Sequence, residues 1–442
     1  MTRYHAVTFW LAILVGGCAP GDGRDESHSG TVDTTNVDIG LPTPDPKQRD
    51  EDADKSSLAP LSTPDRQEAR DNAEAPNPTY DGLTLAQWRQ RIKDLDPNDP
   101  GSTAAVRGLI EIVSAVDAPW HSRRQAALTL GRIGSPAKEA IPLLINLLDE
   151  KGKSENMTPL WAAAALALFG PEAASAAPQL VRQLHDKSRR AADRIAALDA
   201  LSRIGTAHPR VVPALIRTLS LSTENDDLRG LAAEALAFIG PGGSAAIPAL
   251  MRAAHAKHEL LRHKSVTALA AMGTLADVAV PMLADLLVFD ESAAVRDQAA
   301  VALAQIGSTS VPLLTHLLVD EDADVRWRAA MSLGQIRPPA VSAEGPLKKA
   351  LRDEVAVVRI CAIESLWAIN NNADQIMPTL LGELTNEDRQ IRIRAYRLLI
   401  SLGDNARPAI GPLKTLLSDK RPFVRQLARK ALDNLTDTNA PK

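Results

Sequence analysis

The stretch Val325-Arg326-Trp327-Arg328-Ala329-Ala330-Met331-Ser332-Leu333-Gly334-Gln335-Ile336 has a near copy one period upstream, from Val295 to Gly307. Its leucine recurs at Leu130, Leu166, Leu201, Leu236, Leu269, Leu303, Leu333, Leu366, Leu399 and Leu432. Four residues before each stands a small residue: Ala126, Ala162, Ala197, Ala232, Ser265, Ala299, Ala329, Ala362, Ala395 and Ala428. Residues four apart share one face of an α-helix, so the leucine fills a core while the small partner lets a neighbouring helix approach.

Two punctuating series keep the same phase. Proline recurs at Pro142, Pro178, Pro213, Pro248, Pro281, Pro312, Pro346, Pro378 and Pro412, at spacings of 31 to 36 residues. The second series is Gly134, Gly170, Gly205, Gly240, Gly273, Gly307 and Gly403, with Arg337 and Asn370 at two of its positions. Glycine or asparagine after an apolar stretch takes the left-handed conformation that closes a helix, and proline suits the first turn of the next. Each unit is therefore predicted as helix A, a short turn and helix B. Helix B has its own stripe, such as Ile141, Leu144, Leu147 and Leu148. Composition agrees: the 442 residues are 45% hydrophobic but only 3% aromatic, too long for one core and suited to closely stacked helices.

The unit resembles HEAT repeats, specifically the bacterial subtype called phycobilisome-lyase HEAT-like. The resemblance covers residues 120–436. It implies an all-α fold, a right-handed α-solenoid of about ten helix-turn-helix repeats whose B helices line a concave binding surface. It is specific for fold and not for activity. Repeat two has Pro159 where the others carry arginine, and Arg337-Pro338-Pro339 puts regular stacking in question near Pro346. Residues 80–119 are expected to cap the array: Thr84 and Gln87 form a capping box, so a helix begins near Thr84, with a partner around Thr103–Val116 and with Trp88 and Ile92 covering the first repeat. At the far end Val424–Leu435 supplies only a helix A, before a polar tail, 437–442.

The N-terminus sets an expected compartment. Arg3 and His5 precede an apolar run, Ala6 to Val15, broken only by Thr8, which is too short to span a bilayer and reads as a signal peptide over residues 1–17. Val15-Gly16-Gly17-Cys18 resembles a bacterial lipobox, which implies that Cys18 is acylated and anchors the chain on the periplasmic side of the cell envelope. Ala19, where Asp would retain a Gram-negative lipoprotein, favours the outer membrane. Residues 18–79 read as an acidic tether, since 19–79 hold 14 Asp/Glu against 6 Lys/Arg. Residues 80–442 hold 40 against 43, a near-neutral array that argues against a nucleic-acid partner.

An arginine stands near the start of each helix A except in repeat two: Arg123, Arg194, Arg229, Arg262, Arg296, Arg326, Arg359, Arg392 and Arg425. A cation there opposes the helix dipole, so acidic residues in the preceding turns, such as Asp290, Glu291, Asp353 and Glu354, are expected to compensate in an arginine–carboxylate ladder between repeats. His255, His258 and His263 are the one histidine cluster; His255 and His258 are weak metal candidates with too few ligands beside them, and the alternative function is a HEAT-like metal-dependent enzyme, hydroxylase-like, or a chromophore-lyase relative. Iron-dependent deoxyhypusine hydroxylases, which share HEAT-like repeats, are built around several His-Glu pairs; this chain has one, His258-Glu259. Chromophore lyases of the subtype act on cytoplasmic proteins that an exported chain would not meet. Cys361, beside Ile360 and Ile363, reads as a partly buried small hydrophobe. No cofactor is expected.

The function expected is a non-enzymatic scaffold that binds an envelope protein or peptide on the concave face. Candidate contacts, from helical phase, are Arg182, Arg217, Arg252, His316, Lys348 and Glu383 on B helices; Trp120, Trp161, Trp327 and Trp367 read by default as core or ridge packing, with Trp327 alternatively an exposed indole beside the ladder.

Overall fold

The computed structural model describes residues 78–94, 100–150 and 157–436. Cys18, the signal peptide, the tether and the tail lie outside these residues, apart from the last positions of the tether segment.

The array opens with a two-residue hairpin, β1 (Thr79–Tyr80) paired antiparallel with β2 (Leu83–Thr84), then α1 (Leu85–Asp94) and α2 (Val106–Ser114). The capping box forms: the Thr84 amide donates to Gln87 Oε1 at 2.8 Å, and the Gln87 amide to Thr84 Oγ1 at 3.4 Å. Trp88 is fully buried, donating from Nε1 to the Tyr80 carbonyl at 2.8 Å. The hairpin thus supplies the acceptor that a buried indole needs.

Nine helix pairs follow: α3 (Trp120–Ile133) and α4 (Ile141–Leu148), α5 (Thr158–Phe169) and α6 (Ala177–His185), α7 (Ala191–Ile204) and α8 (Val211–Ser220), α9 (Asp226–Ile239) and α10 (Ile247–Ala253), α11 (Glu259–Ala271) and α12 (Val280–Phe289). Then come α13 (Ala293–Ile306) and α14 (Val311–Leu317), α15 (Ala323–Ile336) and α16 (Glu344–Ala350), α17 (Ala356–Asn370) and α18 (Ala373–Glu383), α19 (Arg389–Ser401) and α20 (Ile410–Leu416). A lone α21 (Pro422–Thr436) ends the array. With α1 and α2 as a tenth pair, this is an all-α solenoid.

The leucine and alanine rows are its core. The nine leucines from Leu130 to Leu399 are completely buried, as are the small residues four positions before them. Burying each leucine contributes ~2 kcal/mol. Leu432 is only half-buried, as no described helix packs beyond α21. Successive A helices pack closely at small residues: a Cβ on Gly131 would lie 2.6 Å from the Ala165 carbonyl oxygen, and one on Gly334 2.5 Å from Ser365 Oγ. Ser332 and Ser365 donate their hydroxyls to the Ala300 and Ala330 carbonyls of the preceding A helix, at 2.9 and 2.7 Å.

Three expectations are corrected. The glycines that end the A helices do have positive φ, but with ψ near −135°, as at Gly170 (φ 58°, ψ −130°) and Gly307 (φ 90°, ψ −136°). This is mirrored extended chain and not the left-handed helical cap, so the chain leaves the helix at once and enters a 3₁₀ turn. At the end of α17 the left-handed residue is Asn371 (φ 52°, ψ 30°) and not Asn370, because α17 runs one residue longer. Stacking is regular at Arg337-Pro338-Pro339: Arg337 adopts the glycine geometry (φ 65°, ψ −138°), and Ala340 and Ala343 in the following turn are fully buried. The prolines sit in the first turn of their B helices except Pro378, which lies inside α18.

Two stretches, Thr158–His185 and Asp226–Ala253, are long and apolar enough to cross a membrane by composition. About half of each is buried against neighbouring helices of the array.

Candidate interaction surface

Each B helix buries one side against the A layer and exposes a strip whose register is set by its proline. Four residues after the proline stand Asn146, Arg182, Arg217, Arg252, Asp285 and His316 in six successive B helices, all exposed. One residue earlier stand Ile145, Val181, Ile216 and Met251, half-buried against the core. Repeats one to four therefore show a ribbon of half-covered aliphatic side chains, with arginines alongside on α6, α8 and α10.

These helices are direct neighbours. His185, three residues after Arg182, meets Thr218, one after Arg217, with Nε2 and Oγ1 at 3.2 Å. Burial first, then the charge of Arg217, holds His185 below the usual histidine range. Arg182, Arg217 and Arg252 make no ion pair among the described residues.

The other predicted contacts divide. His316 is exposed on α14, and Lys348 on α16 is partly neutralised by Glu344 at 2.7 Å. Glu383 is no surface contact: it is buried, accepting from Arg359 Nε at 2.5 Å and Asn386 Nδ2 at 2.7 Å. Trp327 is half-buried in the A layer and not an exposed indole. Its Nε1 donates to Asp324 Oδ1 at 3.1 Å, and the Arg328 guanidinium covers its ring at 4.4 Å. His255 and His258 are exposed at the α10–α11 turn, and no group of three or more metal-binding side chains occurs among the described residues.

Several A-helix arginines form the expected ion pairs with carboxylates between repeats, Arg194, Arg262, Arg296 and Arg326 among them, and the series also binds backbone carbonyls. Their guanidinium groups reach carbonyls at the C-terminal end of the preceding B helix: Arg123 Nε to Val113 (2.9 Å), Arg194 Nε to Leu184 (2.7 Å), Arg229 Nε to Leu219 (2.9 Å). From Arg262 onward Nη1 takes two carbonyls of the turn, as Arg326 does at Asp320 (3.0 Å) and Glu321 (2.9 Å), and Arg296, Arg359, Arg392 and Arg425 likewise. A cation at a helix C-terminus is favourable, which removes the apparent conflict with the A-helix dipole. The carboxylate stands further along the chain, at the turn before the next A helix, Asp290 for Arg262 (2.9 Å), Asp353 for Arg326 (2.8 Å) and Glu224 for Arg194, or on the B helix of the same pair, Glu383 for Arg359. Burial opposes the charge on Asp353, but hydrogen bonds from Arg326 and the Val355 amide hold its carboxyl below the usual range. Arg123 has no such carboxylate among the described residues and lies over the Trp161 ring at 5.8 Å, and Arg392 stacks on Phe423 at 4.0 Å.

A family model described as HEAT repeats matches residues 218–304, 280–367 and 344–433, and one described as PBS lyase HEAT-like repeat matches 122–150 and 193–220. Together they cover more than half of the chain. The chain is a HEAT-repeat protein. No curated protein matches it. Among solved structures, this HEAT-repeat chain is similar to the Kap95:Nup1 complex at 14% identity and a TM-score of 0.51, over 79% of this chain and 53% of the other. Importin β matches at 15% and 0.49, over 79% and 55%, so the chain spans about half the length of these relatives. The CpcE–CpcF complex of phycocyanin lyase from Nostoc sp. PCC7120 matches at 23% and 0.32, over 59% and 94%. At such identities the likeness to Kap95 is one of fold.

Two features of this HEAT-repeat protein escaped the sequence reading. A second line of ion pairs joins successive A helices: Lys264 to Glu234 (2.9 Å), Arg328 to Asp297 (2.7 Å), Arg394 to Glu364 (2.6 Å). Phe238 is 70% exposed on α9, beside a shallow depression with Ile195, Ser202, Arg203 and Glu234. It stands two residues before a helix-ending glycine, where Arg132 and Arg203 stand in other repeats; an apolar residue at that outward position was the available signal.

Proposed function

We propose that this solenoid is a non-enzymatic scaffold, held in the cell envelope by a lipid on Cys18, whose B-helix strip binds a protein or an extended peptide. The observation that carries the reading is the register of the strip. Exposed arginines and half-covered aliphatic side chains repeat at the same helical position in consecutive repeats, which makes a linear surface of the kind a long partner segment can follow. Metal- or chromophore-directed chemistry has no comparable constellation to support it among the described residues.

Two measurements test the halves of the proposal. Labelling with a radioactive or clickable fatty-acid precursor is expected to mark the chain and to be lost in Cys18→Ala; retained labelling contradicts the anchor. Affinity capture from envelope fractions with the full chain is expected to recover a stoichiometric protein partner. Catalytic turnover by the purified chain, lost on replacing His255 and His258, contradicts the scaffold.

A further inference from the structure

We propose that Arg182, Arg217 and Arg252 recognise an acidic, extended segment of a partner protein, crossing α6, α8 and α10 with a carboxylate at every third residue. This rests on the scaffold reading and narrows its ligand. The three guanidinium groups are exposed, hold one helical position in three successive B helices, and have no ion-pair partner among the described residues. The arginines of the A helices, by contrast, are held by carbonyls, carboxylates or aromatic rings. The basic row is bounded: the equivalent places on α4 and α12 are Asn146 and Asp285.

Spacing selects the conformation of the segment. Packed helices lie ~8–10 Å apart. A polyproline II chain has three residues per turn and rises ~3.1 Å per residue, so side chains at i, i+3 and i+6 face one way at ~9 Å intervals. A β-strand repeats its face every ~7 Å and falls out of step by the third helix. An α-helix regains its face after about seven residues, but is ~10 Å wide. The aliphatic ribbon here is one side chain per helix, Val181, Ile216 and Met251, which suits a thin chain. Carboxylates pair with guanidinium in two parallel hydrogen bonds, which fixes direction as well as charge. A single-stranded nucleic acid offers the same charge, but such strands bind through aromatic stacking, and this row carries no aromatic residue.

The test uses the full chain and a synthetic peptide, four repeats of Glu-Pro-Pro, measured by fluorescence anisotropy at low and physiological salt. It is expected to bind, to weaken with salt, and to lose at least tenfold in affinity against the triple variant Arg182→Glu, Arg217→Glu, Arg252→Glu. Should the triple variant misfold, Arg217→Gln alone is expected to lose about threefold. A peptide of equal composition with its glutamates adjacent is expected to bind several-fold more weakly. Equal affinity for parent and variant, or for both peptides, overturns the proposal, as does tighter binding of single-stranded oligothymidine or of a helical peptide with Glu at every seventh residue. If the peptide binds only after Asp50, Glu51, Asp52 and Asp54 are replaced by Asn or Gln, the row serves this chain's own acidic stretch and the partner assignment is wrong. Envelope partners still captured by the triple variant would sink this proposal while leaving the scaffold reading standing.

Discussion

Arg326 of α15 and Asp353, at the turn before α17, are joined by two parallel hydrogen bonds, Nε to Oδ2 at 2.8 Å and Nη2 to Oδ1 at 3.0 Å. The remaining nitrogen, Nη1, holds two carbonyls of the arginine's own repeat. One side chain thus ties together a B-helix end, an A-helix start and the next repeat. Both partners are about 90% buried. Arg326→Ala is expected to cost ~3 kcal/mol, since the Asp353 charge is left without its partner. Arg326→Lys recovers only part, because an ammonium cannot span both the carboxylate and the turn. A double-mutant cycle with Asp353→Asn, read by hydrogen exchange in α17, should give a coupling of ~1–3 kcal/mol.

The same pair makes stability depend on pH. The folded carboxyl of Asp353 lies below its unfolded value, so between the two the unfolded chain binds more protons and stability rises with pH. The contribution is present above the unfolded value and lost as pH falls through the folded one. Asp353→Asn is expected to flatten this part of the acid-unfolding profile; an unchanged profile would show that the pair carries no such linkage.

Arg337 adopts a backbone geometry that glycine adopts in the other repeats. Such a conformation costs a residue with a Cβ ~1–3 kcal/mol. Arg337→Gly is therefore expected to raise stability by ~1 kcal/mol in chemical denaturation. Gly307→Ala, where nothing lies within 4 Å of the new Cβ, is expected to lower it by a similar amount through strain alone.

Gly334→Ala isolates the closeness of the A helices. Alanine is the better helix former by ~1 kcal/mol, yet its Cβ would fall 2.8 Å from the Ser365 Cα. A net loss of ~1–3 kcal/mol is expected, from forced separation of α15 and α17. A gain in thermal stability would show that the layer has slack.

The helix pairs were legible in the sequence because four series answer to the same local geometry in every repeat: Leu130 to Leu399, Ala126 to Ala428, the prolines and the glycines. What was not legible depends on partners about 30 residues away. Asp290 precedes Arg296 in sequence, but its carboxylate serves Arg262, and Arg296 takes its backbone carbonyl instead. Glu383 was misplaced by one register. It stands five residues after its proline, in the buried row of Leu147, Leu286 and Leu317, where an arginine from the preceding helix reaches it. Trp327 packs as a ridge residue and not as an exposed anchor, because Arg328 and Asp324 on the same helix, which read in the sequence as independent charges, cover and anchor its indole. The arginine strip was found in outline from phase, and its isolation from carboxylates only from the positions of the neighbours.

Site-specific photo-crosslinking in intact cells tests the scaffold reading most directly. A photoreactive residue at position 217, on the B-helix strip, is compared with one at position 238, which is exposed on the A layer. A discrete protein adduct from position 217 and none from position 238 is predicted. No adduct from position 217, or the same adducts from both positions, would contradict a partner-binding B-helix face.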